Sequence, residues 1–248
     1  MKVAIITGGS RGIGKSTALE AARRGIGVIL TYNRKQAEGE AVAAEIRRGG
    51  GKAVALRLDT ADVASFEAFA GQVSEVLKRE WNRTDFDYLV NNAGIAQRGL
   101  IQDTTEAVFD ELVRVNFKGP FFLSQKLIPL MVDGGQIINI SSALARVSLP
   151  GVAVYGSLKA GLEALTRYFA KEYASRKIRV NCVAPGAIDT EFGGGKGDAN
   201  ARKHIAEITA LGRLGEAEDI GVFVAALLSD DTRFMTAQRI EVSGGIVI

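Results

Sequence analysis

Two residues four positions apart, Tyr155 and Lys159, are placed to do proton chemistry. On a helix such a pair shares one face, with Cβ atoms roughly 5–6 Å apart. A free phenol titrates near pH 10 and moves protons poorly at neutral pH. An ammonium beside it favours the phenolate, so the spacing predicts a lowered Tyr155 pKa and acid/base work on a carbonyl/alcohol pair. Ordinary helices also carry a Tyr and a Lys lying along apolar surface, so spacing alone leaves both readings open. Leu158, Leu162, Leu165 and Phe169 form the apolar stripe here, with Glu163, Arg167 and Lys171 on the wet side.

A second chemical string stands near the start. Thr7-Gly8-Gly9-Ser10-Arg11-Gly12-Ile13-Gly14 follows an apolar run and leads into Lys15-Ser16-Thr17-Ala18-Leu19. Glycines permit a sharp turn and let backbone approach a pyrophosphate, while the helix start offers N–H groups and a positive dipole end. Strand, turn and helix in that order is the context a nucleotide-binding turn requires. Charge then bears on the cofactor. NAD sites usually carry an acid about 20 residues beyond the glycines, which accepts the ribose hydroxyls. After the second apolar run this chain reads Thr31-Tyr32-Asn33-Arg34-Lys35, with no acid until Glu38. Arg11 is expected to face the same corner, where a guanidinium matches a 2′-phosphate and a carboxylate would repel it. NADP(H) is therefore favoured over NAD(H).

These residues must be positioned by an alternating pattern. Apolar runs at 2–7, 27–32, 52–58, 87–91, 136–141, 178–183 and 239–242 predict strands. Helices are expected at 13–24, 35–48, 63–79, 105–115 with 117–131, 155–175 and 218–228. Almost wholly apolar strands separated by helices indicate a parallel sheet covered on both faces. Right-handed crossovers make this an α/β, Rossmann-type doubly wound parallel sheet in three layers. One dinucleotide-binding and catalytic domain is expected over 1–248. The string Gly193-Gly194-Gly195-Lys196-Gly197 predicts a glycine-rich lid at about 189–212, because long loops in compact domains are often functional.

Composition excludes several alternatives. With 248 residues and 47% hydrophobic content, the chain can bury a core without disulfide or metal. Cys182 is the single cysteine and His204 the single histidine, which rules out an intramolecular disulfide and a Cys/His zinc site. A Ser-His-Asp triad would need His204, in a polar stretch expected to be mobile. A strand beginning almost at Met1 leaves no room for a secretory leader, so a cytoplasmic location is expected. No apolar run approaches the ~18 residues of a membrane span. The net charge of +3 is small and scattered, which argues against nucleic-acid partners.

The glycine spacing T-G-x-x-x-G-x-G is joined by Asn91-Asn92-Ala93-Gly94, Ser141-Ser142, Tyr155-Gly156-Ser157-Leu158-Lys159 and Pro185-Gly186. In this order, at predicted strand ends, they resemble the short-chain dehydrogenase/reductase family over the whole chain, and its 3-oxoacyl reductase-like members in particular. The resemblance implies cofactor contacts at Gly8, Ser10, Arg11, Ile13, Gly14, Tyr32, Asn33, Arg34, Asp59, Thr60, Asn92, Ala93, Gly94, Tyr155, Lys159, Pro185, Gly186, Ile188 and Thr190. Asp59 read by itself could instead cap the helix starting near Val63. It also implies that Tyr155 is the acid/base, that Ser142 rather than Ser141 orients the substrate oxygen, and that Asn116 holds a water. Lys159 would grip the nicotinamide ribose and depress the Tyr155 pKa.

The expected activity is NADPH-dependent reduction of a ketone or 3-oxoacyl group to a secondary alcohol, or the reverse. Alternatives are an NAD-using sugar or alcohol dehydrogenase, a sugar epimerase or dehydratase of the extended relatives, and a non-catalytic NADP-binding sensor. Ile95–Gly99, Ala143–Pro150 and Phe192 would line the substrate pocket, with Leu144, Val147, Leu149 and Phe192 as an apolar wall. Arg176 resembles a basic residue that carrier-protein-linked members present, but Met131-Val132-Asp133-Gly134-Gly135 is acidic where a second base is often found. A free small molecule is the favoured substrate. The family's assembly habit implies a homo-oligomer, tetramer or dimer; Phe117, Phe121, Phe122, Leu123, Leu162, Leu165 and Phe169 suit an interface or a core equally. Two departures stand out: Ser243 where Asp is frequent, and a charged insertion at Lys78–Phe86 holding Trp81, expected at the surface.

Overall fold

The computed structural model describes residues 1–192 and 199–248. The glycine-rich string of the expected lid, residues 193–198, lies outside the described residues. Among the described residues, seven strands form one parallel sheet: β1 (Val3–Ile6), β2 (Gly27–Tyr32), β3 (Ala53–Arg57), β4 (Phe86–Asn91), β5 (Met131–Ile140), β6 (Arg179–Pro185) and β7 (Arg239–Val242). Their order is β3-β2-β1-β4-β5-β6-β7. The direction of winding reverses between β1 and β4, which leaves a crevice at the strand C-terminal ends where such sheets bind ligands.

Alternate side chains of each strand enter two cores. Ala4 and Ile6 of β1 face one core, with α1 (Gly12–Arg23), α2 (Gln36–Arg48) and, after α7 (Ala199–Glu207), α8 (Ala217–Leu227). Val3 and Ile5 face the other, under α3 (Phe66–Val76), α5 (Gly119–Leu127) and α6 (Ala153–Glu172). The remaining helix, α4 (Glu106–Val113), precedes α5. Three layers follow from strands that are apolar on both faces. α1 and α8 approach unusually closely, since a Cβ on Gly221 would lie 2.1 Å from Ser16 Oγ.

A polar ladder crosses the centre of the sheet. Asn91 Nδ2 donates to Ser124 Oγ at 3.0 Å and to Asn139 Oδ1 at 2.9 Å. Asn139 Nδ2 donates to Thr166 Oγ1 at 2.9 Å, so β4, β5, α5 and α6 are tied together in the interior. Both amide nitrogens of the ladder are paired, as buried donors generally are, while the Asn91 Oδ1 acceptor has no side-chain or backbone partner among the described residues.

Several expected boundaries move. β5 begins at Met131 rather than Gln136, because Met131 pairs with Phe86 and the chain reaches Gln136 through Gly134 at φ +81°. The expected helix over 117–131 therefore stops at Leu127 and is joined to α4 by a π-helical turn at Arg114–Lys118. The stretch around His204, expected to be mobile, is helical in α7, and His204 itself is exposed. The Lys78–Phe86 insertion is not simply surface. Leu77 and Phe86 at its borders are fully buried, and the Trp81 indole lies against Gly27, where a Cβ would sit 2.2 Å from Nε1. Its charges fold back too, as Arg83 Nη1 meets Asp87 Oδ2 at 2.6 Å and Asp87 Oδ2 accepts Val3 N at 2.7 Å.

Candidate active site

The glycine turn and the loop after β4 form one unit at the crevice. Thr7 Oγ1 accepts from Asn92 N and Ala93 N, both at 2.9 Å, while Asn92 Nδ2 donates to Thr7 O at 2.8 Å. Gly8 adopts φ +64° and Gly12 φ +53°, conformations that favour glycine. A Cβ on Gly14 would lie 2.3 Å from Gly8 O, so this position admits no side chain. Arg11 precedes α1 with no side-chain cap, and the first helical turn holds no acid. That N-terminus is left to attract an anion. A glycine cradle, an uncapped helix start and an adjacent guanidinium fit a dinucleotide's phosphates.

The other sequence-predicted contacts surround the same mouth. Asn33 and Arg34 are exposed at the end of β2, whereas the Tyr32 ring is buried against Gly39. Asp59 Oδ1 accepts Ala61 N at 2.9 Å in a tight local turn, and Asp62 rather than Asp59 precedes the short turn at Val63–Ser65. Thr60 is buried beside it, with its carbonyl against Gly119. Pro185 ends β6, and Gly186 packs so closely on Ser243 that a Cβ would lie 2.7 Å from its carbonyl oxygen. Ile188 O accepts Thr190 N at 2.9 Å, which turns Thr190 toward Gly12. Ser10 and Ile13 lie in the glycine turn and the first turn of α1.

Ser142, Tyr155 and Lys159 meet at the ends of β5 and α6. The Ser142 hydroxyl accepts Leu144 N at 3.2 Å and lies close enough to the Tyr155 phenol to draw its pKa down. Lys159 Nζ donates to Ile140 O at 2.8 Å and lies 5.5 Å from the Tyr155 ring centre. Asn116 is fully buried in the π turn, a local widening of the helix that is frequent at functional sites. Its Oδ1 accepts Ile95 N at 3.2 Å, and its Nδ2 donates to Ile95 O and Leu112 O, each at 3.0 Å. Gly94 separates it from the lysine, since a Cβ there would meet Asn116 Oδ1 at 2.9 Å and Lys159 Nζ at 3.8 Å.

The electrostatics differ from the expected tuning. Burial drives the Tyr155 pKa above its ordinary value, and the nearby Ser142 hydroxyl only partly offsets this. The predicted lowering is thus reversed in the protein alone. Lys159 spends its hydrogen bond on Ile140, and its own burial pulls it down to about 8. Desolvation opposes the charged form of both groups.

The pocket wall is partly as expected. The Phe192 ring lies 5.9 Å from that of Tyr155, and Leu149 is exposed, but Val147 is buried in the interior. The proposed interface residues Leu123, Leu162 and Phe169 are likewise buried within the chain. Phe121 packs on Phe122 and Phe169 at 4.9 and 5.8 Å. The exposed aromatics of α4 and α6 are instead Phe109 and Tyr168.

Residues 8–247 match a family model described as enoyl-(acyl carrier protein) reductase. A 3-oxoacyl-(acyl-carrier-protein) reductase, FabG, of Staphylococcus aureus is 38% identical over 247 residues, covering 99% of this chain and 98% of that protein. The chain belongs to the short-chain dehydrogenase/reductase family. Among solved structures, a short-chain dehydrogenase/reductase from Serratia marcescens superposes with TM-score 0.92 at 34% identity, covering 100% of this chain and 98% of that one. The angucycline C-6 ketoreductase LanV, with bound NADP, gives 0.92 at 35% identity, with 99% and 95% covered. As a short-chain dehydrogenase/reductase, the chain is an oxidoreductase acting on CH–OH and C=O groups. Among the described residues no group of side chains is arranged to hold a metal, and no helix is long and apolar enough to cross a membrane.

Some residues of this short-chain dehydrogenase/reductase escaped sequence reasoning. Ser141 Oγ donates to Glu163 Oε1 at 2.8 Å, and Arg239 Nε donates to the same oxygen at 3.0 Å. Arg239 also meets Glu241 Oε2 at 2.6 Å, while Arg146 grips both oxygens of Glu241 at 3.0 and 2.7 Å. Ser243 Oγ donates to Glu241 Oε1 at 2.7 Å, which an aspartate at this position could not do when ionised. The Ser243 departure therefore has a partner, and Glu241 two residues earlier was the available signal. Glu191 is the other omission: its Oε2 lies 3.0 Å from Arg11 Nη1 and 4.0 Å from Lys35 Nζ. An acid thus reaches the cationic corner from beyond β6, in addition to Glu38 after β2, which pairs with Lys35.

Proposed function

We propose that this chain is an NADPH-dependent reductase that converts a free ketone to a secondary alcohol, or runs the reverse reaction. One observation carries the reading: a buried phenol close to the Ser142 hydroxyl, with a buried lysine 5.5 Å from its ring centre, beside the glycine cradle. The proposed catalytic residues are Asn116, Ser142, Tyr155 and Lys159.

Bound NADPH supplies the hydride. Gly8, Arg11, Gly14, Asn92 and the Pro185–Thr190 segment hold its phosphates, ribose and nicotinamide edge. Ser142 donates a hydrogen bond to the substrate oxygen, and Tyr155 Oη gives that oxygen a proton. A phenol kept protonated by burial suits the reducing direction, in which it acts first as an acid. Lys159 places positive charge close to the phenolate left behind and binds the ribose. Asn116, through the Ile95 carbonyl and its own amide, frames the route by which a proton returns.

Arg176 favours a free substrate over a carrier-bound 3-oxoacyl group. Its guanidinium is taken by Asp133 Oδ1 at 2.8 Å, Ile128 O at 2.8 Å and Met131 O at 2.5 Å, so it is not free to dock an acidic partner. LanV is solved with bound NADP and a blue fluorescent protein from a metagenomic library in complex with NADPH, which supports the cofactor. The proposed setting is a cytoplasmic homo-oligomer, tetramer or dimer, in which exposed Phe109 and Tyr168 would be covered. The test is NADPH oxidation across a ketone panel by wild type and Tyr155→Phe. Turnover should fall at least 100-fold with NADP+ affinity held within about threefold, on the usual scale for a lost proton donor. A variant keeping more than a tenth of wild-type turnover overturns the assignment.

A further inference from the structure

The cationic corner at the ends of β1 and β2 carries its own counter-charge. Arg11 stands before α1 and Lys35 before α2, so both project where neighbouring strands β1 and β2 open onto the crevice. In a dinucleotide fold that is the side of the adenine ribose and its 2′ substituent. Lys35 Nζ lies 2.6 Å from Glu38 Oε1, and Glu191 Oε2 reaches Arg11 at 3.0 Å from the far side of the cleft. Two cations thus face two carboxylates. Glu191 is held there by its neighbours, because Thr190 rests against Gly12 and the Phe192 ring against Tyr155.

We propose that Glu191 is a specificity-determining residue that competes with the 2′-phosphate for Arg11 and Lys35, and so limits the preference for NADP(H) over NAD(H). The inference rests on the NADPH reading above. A doubly charged phosphate entering this corner must take Arg11 from Glu191, or share it against like-charge repulsion. NAD(H), with a plain hydroxyl there, does neither. Both pairs are solvent-exposed, with Glu191 and Arg11 side chains 68% and 54% accessible, so each is weak and the expected effect is modest.

The test is calorimetric binding of NADP+, NAD+ and 2′,5′-ADP to wild type and Glu191→Gln at low salt. The neutral isostere should bind NADP+ and 2′,5′-ADP about three- to tenfold more tightly, with NAD+ changed less than twofold. The gain should shrink at roughly 0.5 M salt, where exposed charges are screened. It should also vanish in the Arg11→Gln background. Unchanged or weaker binding of 2′,5′-ADP overturns the proposal. So does a loss confined to NAD+, which would make Glu191 an acceptor for ribose hydroxyls. A wild-type protein that prefers NAD+ would instead refute the cofactor reading, while the response of 2′,5′-ADP still decides the role of Glu191.

Discussion

Replacing Lys159 with methionine should show that the buried ammonium is kept at a cost to stability. Burial lowers this lysine from 10.5 to about 8, and its side chain is almost fully enclosed, with Ile140 O accepting its hydrogen bond. At about 1.4 kcal/mol per pH unit, that gap is worth about 3 kcal/mol. The sign follows from proton counting. Below pH 8 the lysine is charged in both folded and unfolded chains, and the folded one carries the full penalty. Between pH 8 and 10.5 the unfolded chain holds a proton that the folded chain has released, so stability rises with pH. Lys159→Met has no such group. Its stability relative to wild type should therefore be highest near pH 7 and decline by about 3 kcal/mol by pH 10.5. Loss of the donor to Ile140 O costs the variant about 1–3 kcal/mol at every pH, which shifts the difference without changing its slope. The assay is urea unfolding of cofactor-free protein from pH 7 to 10.5 at one protomer concentration, taking differences so that other titrating groups cancel. A difference that stays flat within about 1 kcal/mol would mean the ammonium is solvated, and the reasoning about desolvation would fail. The same variant should lose at least about 100-fold in turnover under the proposed function.

Three further outcomes are expected. Asn139→Leu should lower unfolding free energy by about 2–4 kcal/mol in urea titrations, since Asn91 and Thr166 both lose a buried partner; a cost below 0.5 would contradict the ladder. Gly221→Ala should force α1 away from α8 and weaken NADP+ binding more than about tenfold, measured by calorimetry, because the new methyl overlaps Ser16. Unaltered affinity would show that α1 can shift without disturbing the phosphate site. Glu241→Gln should flatten acid unfolding between pH 4.5 and 2: Arg146 foremost, with Ser243 and Arg239, holds this carboxyl at about 2, so its contribution is present at neutral pH and lost as the carboxyl protonates. Equal steepness in circular dichroism titrations would remove Glu241 from the acid response.

The strands and the glycine turn were legible because their signals are local. A run such as Val28-Ile29-Leu30 has one stable environment, and Gly8 and Gly14 serve a turn within seven residues. Tyr155 and Lys159 were legible as a pair for the same reason, but their electrostatics were not. Spacing gives proximity along a helix, whereas desolvation depends on what β5 and β6 pack around them. Glu191 was invisible because Arg11 is 180 residues away in sequence; Glu241 has Arg239 and Ser243 two positions away, but its grip by Arg146 spans 95 residues. Trp81 misled in the other direction: its neighbours are charged, yet Gly27 leaves it a slot that no local pattern reveals.

The amide ladder through Asn91, Ser124, Asn139 and Thr166 bears on how the molecule comes apart. Segments joined by buried hydrogen bonds open together and late, and exchange their amide protons slowly. β4, β5 and α6 are such a unit, and Asn92, Ser142, Tyr155 and Lys159 all stand within it or at most two residues beyond. Glu191 and Phe192 hang outside it, on surface contacts. Mild heat or denaturant should thus expose the two ends of the crevice at different times. The rim beyond β6 would loosen first, and the proton-transfer constellation would survive until the whole sheet gives way.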